Sequence, residues 1–135
     1  MEGFPYDLRI APRRGGGHWT VQDYWSIDFS TEEGWQLAIN IFEDRIRGRF
    51  LDIIEQIEDH PYSGFAVMAL DCLLIETLQQ FREGVAETKG RSKRYFVSFL
   101  RNTRFKEHFK TEKMAEDFYD WIRCGILHQA SPGKK

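Results

Sequence analysis

From residue 32 the apolar positions fall in steps of three and four. Trp35, Ala38, Ile39, Phe42, Ile46, Phe50, Ile53, Ile54 and Ile57 follow that spacing, which lays them along one face of a long amphipathic helix. Ser30 or Thr31 ahead of Glu32-Glu33 supplies a capping oxygen and carboxylates at the positive end of the helix dipole. His60-Pro61 ends it. A second helix is predicted from about Gly64 to Arg82, apolar nearly all round and therefore expected at the centre of the fold. Residues 84–90 read as a loop. Beyond it, Tyr95 with Phe99 and Phe96 with Leu100 form an inward stripe on a third helix. The last helix begins near Thr111, a cap followed by Glu112, and runs through Met114, Phe118, Trp121, Ile122 and Leu127.

The first thirty residues follow another rule. Pro5, Pro12 and Gly15-Gly16-Gly17 break any long helix, and from Trp19 to Phe29 apolar residues alternate with polar ones. One or two short strands, or an extended arm, fit that period of two. Short links between four helices predict an all-α fold, an antiparallel bundle of four to five helices over residues 31–130. An irregular or short β extension over residues 1–30 precedes it, and residues 131–135 read as a disordered tail.

Composition sharpens this little. One domain fits 135 residues, and 41% apolar with 15% aromatic residues suffices for a packed core. The net charge of −2 announces neither nucleic acid nor membrane. No apolar run reaches the length of about 18 residues that a membrane span needs. The first residues lack the basic and then apolar regions of a secretory signal, and Cys72 and Cys124 form no CxxC pair, so reduced thiols of a cytoplasmic protein are expected. The four histidines show no ligand spacing, and neither metal nor cofactor is expected. The glycine triplet with Arg13, Arg14 and His18 matches no phosphate-binding fingerprint and reads as a flexible surface loop.

Charge is distributed unevenly. Residues 32–59 hold eight acids and three bases, whereas residues 89–110 hold eight Lys or Arg and one acid, Glu107. Arg91, Lys93, Arg94, Arg101, Arg104 and Lys106 stay on the outer side of the third helix, placed either to bind phosphates or to pair with the acidic first helix. Two carboxylates, Asp71 and Glu76, interrupt the apolar second helix, and each must be paired or face an opening.

The chemistry concentrates near the end, where Arg123 and His128 close an apolar helical pattern. A guanidinium fork suits a phosphate, and an imidazole exchanges a proton near neutral pH. Together they suffice for metal-free cleavage of RNA, one moving the 2′-hydroxyl proton while the other holds the strained phosphate. Five residues apart on a regular helix means about 140° of rotation, so the two share no face. Either Gly125 loosens the helix or two copies build composite sites across a two-fold axis.

The segment Arg123-Cys124-Gly125-Ile126-Leu127-His128 resembles the Arg-x4–6-His motif of the HEPN superfamily (higher eukaryotes and prokaryotes nucleotide-binding domains), in the last core helix where that family carries it. The resemblance implies a helical bundle, a homodimer, and a metal-independent endoribonuclease in a toxin or phage-defence setting. Partners would be RNA or a nucleotide, with an antitoxin or another protein as a further candidate. Carried over, Arg123 orients the phosphate and His128 is the general acid/base. Glu76 becomes the assisting acid, with Asp71 second. Cys124 stands where the family often has a polar residue, and no tyrosine follows His128. The alternative is a non-catalytic module of the same fold that binds nucleotide, RNA or protein. Structural duties also suit the pair: an ion pair of Arg123 with Asp120, Glu116 or the first helix, and a helix C-terminal histidine bonding free carbonyls.

Overall fold

The computed structural model describes Gly3 and residues 5–129, excepting the side chains of 127–129. The expected tail from Ser131 and the side chain of His128 lie outside the described residues. The chain divides into two compact units, Met1–Gln56 and Ile57–Lys135. The expected domain boundary at 30/31 thus has no counterpart in this division, because the first long helix packs with the N-terminal hairpin.

In the first unit β1 (Arg9–Pro12) and β2 (His18–Thr20) pair antiparallel, with Ala11 opposite Trp19. Gly15, Gly16 and Gly17 turn the chain between them at φ of +89°, +121° and +81°, which side chains rarely tolerate. The triplet is therefore a defined hairpin turn. Of the alternating stretch Trp19–Phe29, Trp19 lies in β2 but the middle is helical: α1 (Val21–Trp25) starts where the Thr20 hydroxyl accepts from Asp23 N while an Asp23 carboxylate oxygen accepts from Thr20 N. That reciprocal capping box outweighs the period-two pattern. Next comes α2 (Glu32–Ile46), with Thr31 as its cap. It passes through a π-turn (Arg47–Leu51) into α3 (Asp52–Ile57).

Ala11, Trp19 and Ile41 form this unit's core, flanked by Ile10, Ile27 and Leu37. Beside it sits a buried carboxylate. Asp44, 6% exposed, accepts from Trp19 Nε1 at 2.8 Å and from Arg14 N and Nε at 3.2 and 3.1 Å. Arg14 also reaches Glu43 at 3.1 Å. Burial works to raise the Asp44 pKa, but the bonds from Trp19 and Arg14 outweigh it and hold the group below its ordinary value. At Gly48 the helix approaches the Pro12 ring so closely that a side chain would collide with it.

The second unit opens with α4 (Gly64–Glu83), which ends at Gly84 in the left-handed conformation (φ +69°). α5 (Ser92–Asn102) follows, then a 3-10 turn (Arg104–Glu107) and α6 (Glu112–Phe118), capped by Thr111. A π-turn (Tyr119–Arg123), in which Cys124 N–H reaches back to the Tyr119 carbonyl, leads into α7 (Cys124–Gln129).

Here the core centres on α5, correcting the expectation that the second helix would hold that place. Tyr95, Phe96, Val97, Phe99 and Leu100 are all buried, and with Cys72, Ala115 and Tyr119 they make one cluster. Phe96 stacks on Phe118 (5.8 Å) and meets Tyr119 edge-on (5.4 Å). Each aromatic so buried contributes about 1.5–3 kcal/mol. On α4 the buried positions are Cys72, Glu76 and Gln79, while Phe65, Leu73 and Phe81 remain exposed. By length and composition alone α4 would pass for a membrane span, which revises the view that no segment is long and apolar enough. Met68, Ile75 and Leu78 of α4 pack against the cluster as well, so its inward side mixes apolar residues with Glu76 and Gln79.

Candidate functional site

Glu76 of α4 meets the last helix at Arg123. Arg123 Nη2 lies 3.0 Å from Glu76 Oε1 and 3.1 Å from Oε2, and both side chains are nearly enclosed, at 15% and 11% exposure. Ser92, the first residue of α5, donates its hydroxyl to Glu76 Oε1. Tyr119 in turn donates to Ser92 Oγ at 3.1 Å. The circle closes where the Arg123 guanidinium sits 5.1 Å from the Tyr119 ring centroid. Three helical segments are thereby tied by one carboxylate.

Tyr119 and Arg123, four residues apart, lie close to the same side of their helical segment, as residues at that spacing do. Beyond the π-turn α7 runs helical through Gly125 to Gln129, so the irregularity ends at the arginine and Gly125 does not break the helix. Positions 123 and 128 remain on different faces, about 140° apart if α7 winds regularly.

Electrostatically the pair is self-contained. Burial acts to lower the Arg123 pKa, and the hydrogen bond and charge of Glu76 more than offset it, leaving the group above its ordinary value. Arg123 Nε is buried and finds no hydrogen-bond partner among the described residues. Cys72, one turn before Glu76, is wholly buried, and burial, then the Asp71 charge, pushes its thiol up to about 11. Asp71, the second candidate acid, is half-buried with its pKa raised by burial, and makes no hydrogen bond or ion pair among the described residues. Of the two carboxylates the structure places Glu76 at Arg123. Among the described residues no three of His, Cys, Asp or Glu gather as a metal site would need.

The cationic residues divide into two groups. Lys93, Arg94 and Arg101, with Ser98 and Asn102, line one wall of a cleft of about 650 Å³, and Glu112 and Glu116 of α6 line the other. All three cations are engaged: Lys93 with Asp120 at 3.1 Å, Arg94 with Glu83 at 2.9 Å, and Arg101 with the Phe109 carbonyl at 2.8 Å. Arg91 and Arg94 both lie over the buried Tyr95 ring, at 5.6 and 5.0 Å. Arg104 and Lys106 stand exposed on the 3-10 turn and form no ion pair among the described residues. Neither Arg123 nor Glu76 lines this cleft.

Ser92 and Tyr119 were not singled out by sequence reasoning. Tyr119 carried a signal, an aromatic four residues before an arginine. Ser92 carried none beyond its place at a helix start. Compared with known proteins, the chain matches no family model, no curated protein and no solved structure.

Proposed function

We propose that this chain is a metal-independent endoribonuclease of HEPN type, built on an antiparallel bundle of four to five helices and acting as a homodimer. The observation that carries the reading is the Arg123–Glu76 pair: an arginine at the motif position is held at 3.0 Å by a carboxylate of an earlier helix, and two further helical positions orient that carboxylate. Holding the guanidinium fixed before substrate arrives is what a phosphate-stabilising group requires. His128 supplies the proton chemistry. Because positions 123 and 128 share no face, each site draws on two copies of the helix. Exposed Arg91, Arg104 and Lys106 steer the RNA backbone by charge.

The second reading, a binding module without turnover, is favoured by a specific observation. Arg123 is nearly enclosed and already bound to Glu76, which is the condition of a structural ion pair. One assay separates the two. RNA is incubated with the purified chain in EDTA, beside a His128→Ala copy. Catalysis predicts cleavage that falls by about 10²–10⁴-fold in the variant. Absence of cleavage, or equal cleavage by both proteins, overturns the ribonuclease. RNA retention that weakens on charge reversal at Arg91 and Arg104 then supports the binding module.

A further inference from the structure

The first unit holds a pair of adjoining cavities that the reading above does not use. One, of about 330 Å³, is lined by Pro12, Arg13, Arg14, Arg47 and Asp52, among others. Its neighbour, of about 320 Å³, adds Trp19, Leu37 and Asn40. Arg13, Arg14 and Asp44 line both, so the Arg14–Asp44 ion pair is part of a wall they share. Both oxygens of Asp44 are occupied by Arg14 and Trp19. That leaves Arg13 and Arg47 as cations without an ion pair among the described residues, offset only by Asp52 at the same cavity.

The second cavity has a different chemistry. Arg13 Cζ stands over the Trp19 ring, 4.2 Å from its centroid, and both residues line this cavity, where a guanidinium can also pack against a flat ring. Leu37 adds an apolar side. Asn40 accepts from Gln36 Nε2 at 3.1 Å through its carbonyl oxygen, which leaves its amide NH₂ to donate to an acceptor on a ring. An anion at one end and a flat, acceptor-bearing ring at the other is the chemistry of a phosphate monoester on a heterocycle. We propose that the cavities flanking the Arg14–Asp44 pair form a mononucleotide site, with Arg47 and Arg13 on the phosphate and the ring stacked at Arg13 against Leu37 and Asn40. It stands apart from the ribonuclease reading, since every residue belongs to Met1–Gln56.

Calorimetric titration of the full chain with adenosine monophosphate, adenosine and inorganic phosphate tests it. Expected is one nucleotide per chain, with each half-ligand binding at least about tenfold more weakly. Arg47→Ala should weaken nucleotide binding about tenfold, as loss of one charged hydrogen bond does. Asp52→Asn should tighten it. Arg47 and Asp52 are exposed and engage no partner among the described residues, so unchanged circular dichroism verifies the fold of both variants. No binding, phosphate or adenosine binding as tightly as the nucleotide, or nucleotide binding indifferent to both substitutions would each overturn the site. RNA cleavage is read separately through His128→Ala.

Discussion

Among the described residues each unit buries one carboxylate on a helix and satisfies it with an arginine and one further donor, the Trp19 indole at Asp44 and the Ser92 hydroxyl at Glu76. The two arrangements differ in who remains in water. At Asp44 the arginine is outside: the Arg14 side chain is 65% exposed and bonds through backbone and side chain, while the Trp19 indole donates from within. At Glu76 the arginine is inside, and the helpers are two hydroxyls in series, Ser92 and Tyr119. Asp44 holds a hairpin onto a helix 25 to 30 residues away. Glu76 joins segments separated by 47 residues in sequence. A carboxylate with a wet arginine needs only its hydrogen bonds replaced when that arginine is lost, whereas one with a buried arginine is stranded as a bare charge.

The largest expected effect follows from that contrast. Arg123→Ala strands Glu76 in the core and should cost about 3–5 kcal/mol in urea unfolding, since breaking a buried pair leaves an uncompensated charge. The double variant Glu76→Leu/Arg123→Met removes both charges and should recover much of the loss. If the single variant costs under about 1 kcal/mol, the pair is solvated like a surface bridge and the contrast with Asp44 disappears.

How far this knot was legible in the sequence depends on the kind of signal. A carboxylate in an apolar helix must find a partner, so Glu76 stood out, and Arg123 stood out by its motif. For a purely structural ion pair of Arg123 the candidates were Asp120, Glu116 or the first helix, but Asp120 pairs with Lys93 and Arg123 with Glu76. The π-turn at Tyr119–Arg123 was invisible because one extra residue in a helical turn arises from packing and leaves no periodicity of its own. The long helices and the cap Thr111 were legible, and of the two candidates Ser30 and Thr31 it is Thr31 that caps α2, since repeat spacing and side-chain capping are local properties. α1 was missed because its capping box, also local, contradicted an alternation that covered more residues. The placement of α5 rather than α4 at the centre of the second core was the deeper miss: average apolarity does not say which face a neighbour covers.

Next in size is Asp44→Ala, which leaves the Trp19 indole and the Arg14 amide without an acceptor and should cost about 1–3 kcal/mol by chemical denaturation. The same site makes stability depend on pH. Its folded pKa lies below the ordinary 3.8. Its contribution is therefore complete above the unfolded value and lost as pH falls through the folded one. Acid titration of the native chain should show stability declining below about pH 4, and Asp44→Asn should flatten that decline. An unchanged profile in Asp44→Asn would mean that other carboxylates govern the acid limb. Gly48→Ala probes the hairpin from the other side, where the new methyl group meets the Pro12 ring. Overpacking of this kind should cost about 1–3 kcal/mol, and a neutral result would show that the hairpin shifts to make room.

The smallest effects distinguish the two hydroxyls at Glu76. Tyr119→Phe removes a neutral bond to Ser92 at 3.1 Å but keeps the ring beneath Arg123, so about 0.5–1.5 kcal/mol is expected. Ser92→Ala takes a donor from a buried carboxylate and leaves the Tyr119 hydroxyl without its acceptor, so it should cost more than Tyr119→Phe. Both losses depend on Glu76 being charged and held there, so against a Glu76→Leu/Arg123→Met background the Ser92→Ala cost should shrink, as coupled neighbours require. Equal costs in the two backgrounds would show that Ser92 serves the start of α5 and Tyr119 but not Glu76, and the circle around Arg123 would then have only its ion pair and its ring.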